Sequence, residues 1–239
     1  TATNNVAIGA NALDAYTSGD GNVAIGRDAL GAAANAEDRN IAIGRSAMSN
    51  TNNADSDHNV AIGASTLQSG GSAAGANIAI GHQSMTDVDA VGSQHNTAVG
   101  YASMNGTWAT TVSQYNVAIG SKTMQGAMND ADNNVAVGYQ ALQSLTLGDN
   151  NVAIGTDALN DVTEGIHNVA IGSNTLDAVT TGTRNIAIGS SAGGATTSSG
   201  SVYVGNFCGS SANTANSVLI GYSAGAVATA TGVVAIGYE

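Results

Sequence analysis

The chain has 239 residues, a formal net charge of −12 at pH 7 and only five lysines and arginines. Nucleic acids and anionic membrane surfaces are bound through basic faces, so this charge balance argues against both as partners. No apolar stretch approaches the roughly 20 residues that a membrane helix needs, so we expect no membrane insertion.

One short motif recurs from end to end of the chain, and a clear copy is Asn22-Val23-Ala24-Ile25-Gly26. It occurs fourteen times, and successive motif glycines are 16 to 20 residues apart. A constant motif at near-constant spacing indicates a repeat architecture, in which each repeat packs only on its neighbours. We therefore predict an all-β, single-stranded parallel β-solenoid of about fourteen coils of 16–20 residues.

The three residues before each motif glycine alternate large, small, large, which is the pattern of a β-strand. We predict that the valine and isoleucine face the inside of the coil and that the central alanine points outward. A strip of outward alanines in place of polar residues indicates a close contact with another chain. The alternative is a coil so flat that both faces of the strand are internal. The predicted chain–chain interface comprises Ala7, Ala24, Ala42, Ala61, Ala79, Ala98, Ala118, Ala136, Ala153, Ala170 and Ala187.

An asparagine precedes the strand in most coils. Asparagines stacked at a bend can hydrogen-bond from coil to coil, so we interpret this column as a structural ladder, with ligand binding as the alternative. The predicted ladder comprises Asn5, Asn22, Asn40, Asn59, Asn77, Asn96, Asn116, Asn134, Asn151, Asn168 and Asn185.

A leucine or methionine lies four residues after most motif glycines, as at Leu30 and Met48, and forms a third predicted core column. In the last coils this column becomes Gly193, Gly209 and Gly225, and the spacing falls to 16. We therefore divide the chain into a wide-coil solenoid, 1–188, and a narrower continuation, 189–239, and expect both to belong to a longer fibrous protein. The variable stretch after this column, as at 162–163 and 179–180, predicts a second short strand.

Few residues are candidates for catalysis or metal binding. His58, His95 and His167 each precede a ladder asparagine. At about 4.8 Å per coil they are too far apart to share a metal, so we expect exposed rim residues. Acidic loops could attract calcium but lack a regular ligand spacing, so we interpret them as solvated; they contain Asp55, Asp57, Asp87, Asp89, Asp130 and Asp132. We predict no catalytic residues, no cofactor, no metal and no enzyme.

Segments such as Asn134-Val135-Ala136-Val137-Gly138-Tyr139-Gln140-Ala141-Leu142 resemble the head repeats of trimeric autotransporter adhesins and repeats of phage tail fibres and spikes. The resemblance covers all fourteen copies. It implies a left-handed parallel β-roll with three chains side by side. This chain departs from the adhesin pattern in its longer coils and in its leucine/methionine column.

From this resemblance we expect a structural and adhesive fibre segment, most similar to a phage tail fibre or spike. It would form a rigid homotrimeric rod on the virion or cell surface that presents or contributes to host-receptor attachment, the receptor being a glycan or a protein. The alternative is a bacterial trimeric autotransporter adhesin head. Remote alternatives are a hexapeptide-type acyltransferase, with His82 as its candidate histidine, and a calcium- or ice-binding solenoid.

Overall fold

A computed structural model of the chain describes residues 2–31, 38–50, 56–68, 75–86, 92–108, 111–194, 199–212, 214–227 and 230–238. Within these ranges there are fourteen strands of three residues each and no helix. The strands are β1 (Val6–Ile8), β2 (Val23–Ile25), β3 (Ile41–Ile43), β4 (Val60–Ile62), β5 (Ile78–Ile80), β6 (Thr97–Val99), β7 (Val117–Ile119), β8 (Val135–Val137), β9 (Val152–Ile154), β10 (Val169–Ile171), β11 (Ile186–Ile188), β12 (Val202–Val204), β13 (Val218–Ile220) and β14 (Val234–Ile236).

The chain forms two compact units. The first comprises Thr1–Lys122 and Ala127–Asp130, and the second comprises Thr123–Gly126 and Ala131–Glu239. In the first unit β1 to β7 pair in sequence order, all parallel. In the second, β8 to β14 do the same. The predicted division at residues 188–189 concerned coil width and stays a prediction.

Equivalent residues of successive coils lie opposite one another. Ala153, for example, pairs with Ala136 on one side and Ala170 on the other. The ladder continues past the strand, because the Gly155 N–H donates to the Val137 carbonyl at 2.8 Å. In this register, the backbone N–H and C=O groups of each strand form their hydrogen bonds with the coils above and below. The predicted all-β parallel β-solenoid is therefore confirmed.

Corners of the coil are formed by residues in the left-handed backbone region. In the coil that begins at β9 these are Asp157, Leu159 and His167, with φ of 54°, 51° and 59°. The motif glycine, here Gly155, has a φ of 138°, which is accessible to glycine and strained for other residues. Left-handed backbone costs about 1–2 kcal/mol for each non-glycine residue, so packing between coils has to stabilise these corners.

The predicted second strand is wrong. The Thr163 N–H donates to the Thr180 carbonyl at 3.0 Å, one coil further on, but 162–163 and 179–180 lie outside every strand. Val162 and Val179 are fully buried and fill the interior at this side of the coil. Their β-branched side chains thus serve core packing.

The leucine/methionine column forms the centre of the core. Leu30, Met48, Met85, Leu142 and Leu159 all have no exposed surface. In the coils with Gly209 and Gly225 the large side chain comes instead from the middle of the strand, where Tyr203 and Leu219 are fully buried. A Cβ added to Gly209 would lie 2.5 Å from Tyr203 Cδ1, so the two columns occupy the same interior space.

This exchange predicts a strong coupling between Tyr203 and Gly209. Gly209→Leu should overpack the coil by about 1–3 kcal/mol, and Tyr203→Ala should leave a cavity worth about 3–5 kcal/mol. The double variant restores the alanine–leucine arrangement of the other coils. Leucine tolerates this backbone, since Leu176 has a φ of 50° and Gly209 one of 60°. We expect thermal unfolding to show the double variant as more stable than Tyr203→Ala alone. If the losses in unfolding free energy of the two single variants simply add in the double variant, the two side chains do not share the same interior space.

Candidate functional site

The outward surface of the strands is apolar. The first and third residues of each strand, mostly valine and isoleucine, point away from the interior, and we call this surface the Val/Ile face. None of its residues is buried: Ile80 is 37% exposed, Ile119 42%, Ile171 38% and Ile186 41%. In each unit the side chains repeat from strand to strand in two straight columns. A continuous apolar sheet face of this kind marks an interaction surface.

The alanine column lies on the opposite side, which reverses the predicted orientation. Ala24, Ala42, Ala61, Ala79, Ala98, Ala118, Ala136, Ala153, Ala170 and Ala187 are fully buried within the single chain. Ala7, in the first strand, is exposed. The predicted chain–chain interface through these alanines is therefore wrong. The physical reason is that the leucine or methionine of the same coil fills the interior beneath the strand and leaves space only for a methyl group. In the coil of Ala187, which has Gly193 instead, Leu176 and Tyr203 of the neighbouring coils fill this space.

Two positions of the repeat flank the Val/Ile face: the residue before the ladder asparagine or its replacement, and the residue after the motif glycine. Over fourteen coils these flanking positions contain none of the seventeen aspartates and glutamates. They contain most of the basic and imidazole side chains, namely Arg39, His58, His95, His167 and Arg184 before the asparagine and Arg27, Arg45 and His82 after the glycine. The face is thus bordered by most of the arginine and imidazole groups of a strongly acidic chain and by none of its carboxylates.

Aromatic side chains share these flanking positions. Tyr101 and Tyr115 are 50% and 53% exposed. Each stacks on a histidine of the preceding coil, with ring centroids 5.7 Å apart for His82–Tyr101 and 5.1 Å apart for His95–Tyr115. The predicted rim histidines His58, His95 and His167 are all exposed, and His95 is one of the two stacked histidines. Protein interfaces are enriched in tyrosine and arginine and depleted of aspartate and glutamate, and the border of this face matches that composition.

The asparagine column lies at the bend that precedes the strand, and its members from Asn22 to Asn185 are fully buried. Each uses its side chain twice. Asn151 Oδ1 accepts the backbone N–H of Asn168 at 3.0 Å, one coil further on. Asn151 Nδ2 donates to the Gly165 carbonyl at 2.8 Å, which closes its own coil.

The same pattern recurs in both units. In the first unit, Asn22 Oδ1 accepts the Asn40 N–H at 2.8 Å, and Asn40 Nδ2 donates to the Ser56 carbonyl at 2.8 Å. After Asn185 a serine takes over: Ser201 Oγ donates to the Thr214 carbonyl and accepts from the Ser217 N–H. These contacts engage the amide groups with backbone partners and with the neighbouring asparagine side chains, which favours a structural role for the column over ligand binding.

The remaining predicted features bring no chemistry together within the described part of the chain. No group of three or more histidine, cysteine, aspartate or glutamate side chains there could hold a metal ion. Among the same residues, no helix is long and apolar enough to cross a membrane. Asp55, Asp87 and Asp89 of the acidic loops lie outside the described residues. His82, the candidate acyltransferase histidine, stacks on Tyr101.

A scan against protein-family models found no match to this chain, and a search of curated proteins found no relative. Sequence reasoning missed the Val/Ile face because it assigned those residues to the interior. A signal was present, however, since the exclusion of carboxylates from both flanking positions can be seen in the sequence alone.

Proposed function

We propose that this chain is a segment of a fibrous surface protein in which three copies associate side by side through the Val/Ile face. The segment would belong to a phage tail fibre or spike, or to a similar extracellular fibre, and would present or contribute to host-receptor attachment. Its role is structural and adhesive, without a reaction of its own.

The observation that carries the proposal is the exposed Val/Ile face. Burial of apolar surface contributes about 25 cal/mol per Å², so two columns of partly exposed valine and isoleucine favour association. The border supplies exposed tyrosine and arginine, the residue types that dominate binding energy at protein interfaces. The number of chains, three, comes from the resemblance to trimeric adhesins and tail fibres.

Replacing isoleucines of this face by lysine tests the proposal. Ile154→Lys with Ile171→Lys places two charges on side chains that are 39% and 38% exposed in the single chain. Folding should therefore tolerate them, whereas an interface would have to desolvate both. We expect circular dichroism to be unchanged and sedimentation velocity to show single chains.

Thr180→Lys with Thr181→Lys is the matched control, because it adds the same charge at two exposed positions away from the strand. This variant should sediment like the unmodified protein. If the isoleucine variant retains the assembly of the unmodified protein, the Val/Ile face is not the contact and the proposal fails.

A further inference from the structure

A polar groove crosses three successive coils of the second unit, those that begin at β8, β9 and β10. Its volume is about 300 Å³, which is at the lower end of the range for small-molecule sites. The lining comes from equivalent positions of the repeat, two, five and six residues after the motif glycine. The residues are Gln140, Gln143, Asp157, Asn160, Asp161, Asn174, Asp177 and Ala178.

The amide groups of the groove are held by the protein itself. Gln140 Nε2 donates to Gln143 Oε1 at 2.9 Å. Asn160 Nδ2 donates to the same Gln143 oxygen and to Asp157 Oδ1, both at 3.3 Å. The Gln143 amide donates to Gln125 Oε1 at 3.2 Å. These hydrogen bonds order the lining before any ligand arrives, which reduces the entropy cost of binding.

Carboxylate oxygens supply most of the remaining hydrogen-bonding capacity of the groove, beside a few amide N–H groups. Three carboxylates, Asp157, Asp161 and Asp177, line it, and an ionised carboxylate accepts up to about four hydrogen bonds. No lysine, arginine or histidine is part of the lining. Burial raises the pKa of Asp177, with a smaller contribution from the negative charge of Asp161. A suitable ligand therefore donates several hydrogen bonds and carries no negative charge.

A single metal ion does not fit this arrangement. The carboxylates are distributed along the groove, and among the described residues they do not form a metal-holding group. Calcium needs six to eight oxygens converging at about 2.3–2.6 Å. Separate acceptors along a groove match instead the spaced hydroxyl groups of a polyol.

We propose that this groove binds a saccharide without negative charge, either a neutral sugar or an amino sugar. Carboxylate and amide oxygens accept hydrogen bonds from neighbouring sugar hydroxyls, and an ammonium group would add an ion pair. The lining belongs to one chain, so binding does not require association. The inference adds a ligand class to the proposed attachment role, and either can fail without the other.

The test is a binding titration of the full chain with hexoses, hexosamines and uronic acids, monitored by saturation-transfer NMR. We expect at least one neutral or amino sugar to bind, and its uronic acid counterpart to bind at least tenfold more weakly. Asp161→Ala with Asp177→Asn should weaken binding at least tenfold while circular dichroism stays unchanged. Gln68→Ala is the matched control: Gln68 occupies the same repeat position as Gln143 in the first unit, and binding should not change.

Three results would overturn the inference. The first is that no sugar of the panel binds. The second is that uronic acids bind as tightly as their neutral counterparts, because a groove lined by carboxylates should repel them. The third is that the aspartate variant binds as well as the unmodified chain, which would place the ligand elsewhere. None of these outcomes bears on the mass of the assembly, so the association proposal is tested separately.

Discussion

Gly172→Ala is expected to destabilise the second unit by about 5 kcal/mol or more, among the largest effects of single substitutions. Gly172 has a φ of 135°, where any residue with a Cβ is strained. An added Cβ would lie 2.6 Å from the Gly189 carbonyl oxygen and 2.8 Å from Thr175 Oγ1. The backbone cannot shift to relieve this contact, because the Gly189 N–H donates to the Ile171 carbonyl at 2.8 Å and holds the two coils together.

Gly232→Ala provides the matched control with the same chemical change. Gly232 also has a positive φ, 72°, but a Cβ there would meet no atom within 4 Å. It should therefore cost only the left-handed penalty of about 1–2 kcal/mol. Thermal unfolding followed by circular dichroism, with amide exchange at Gly189, measures both variants. Equal stability of the two would show that contact between stacked glycines does not limit this fold.

Asn151→Ala is expected to cost about 4 kcal/mol. The substitution leaves the Asn168 N–H without its side-chain acceptor and the Gly165 carbonyl without its side-chain donor, and Asn134 Oδ1 loses the Asn151 amide at 3.0 Å. Each buried polar group left without a partner costs about 1–3 kcal/mol. The loss should appear both in the melting temperature and as faster hydrogen exchange of the Asn168 amide.

Asn150→Gly is a control one residue away. Asn150 is exposed and has a φ of 56°, which glycine adopts readily. Its substitution should change stability by no more than about 0.5 kcal/mol. If Asn151→Ala were equally mild and the Asn168 amide kept its protection, the buried asparagine column would not be what holds these coils in register.

Strand positions and the parallel stacking follow from the repeat, because the Val-Ala-Ile alternation and the constant spacing leave few other arrangements. The orientation of the strand does not follow from alternation, which defines two faces without saying which one is inside. Large β-branched residues usually indicate the interior. Here the interior is narrow and is already filled by residues such as Leu159, which is fully buried.

The last coils contain the information that resolves this choice. Where the leucine/methionine column changes to Gly209 and Gly225, the alanine column changes to Tyr203 and Leu219. Two columns that exchange volume must share the same space, so the alanine column has to be internal. The polar groove could not be predicted in the same way, since its lining comes from three repeat positions whose residue types vary along the chain.

Native mass, measured by light scattering over a wide range of concentrations, tests the central claim that the Val/Ile face joins copies of this chain. The account predicts a mass about three times that of the 23.3 kDa chain. It also predicts that the assembly separates into single chains when Ile154 and Ile171 carry lysine. A mass of one chain at every concentration would contradict the claim and leave the Val/Ile face without a partner.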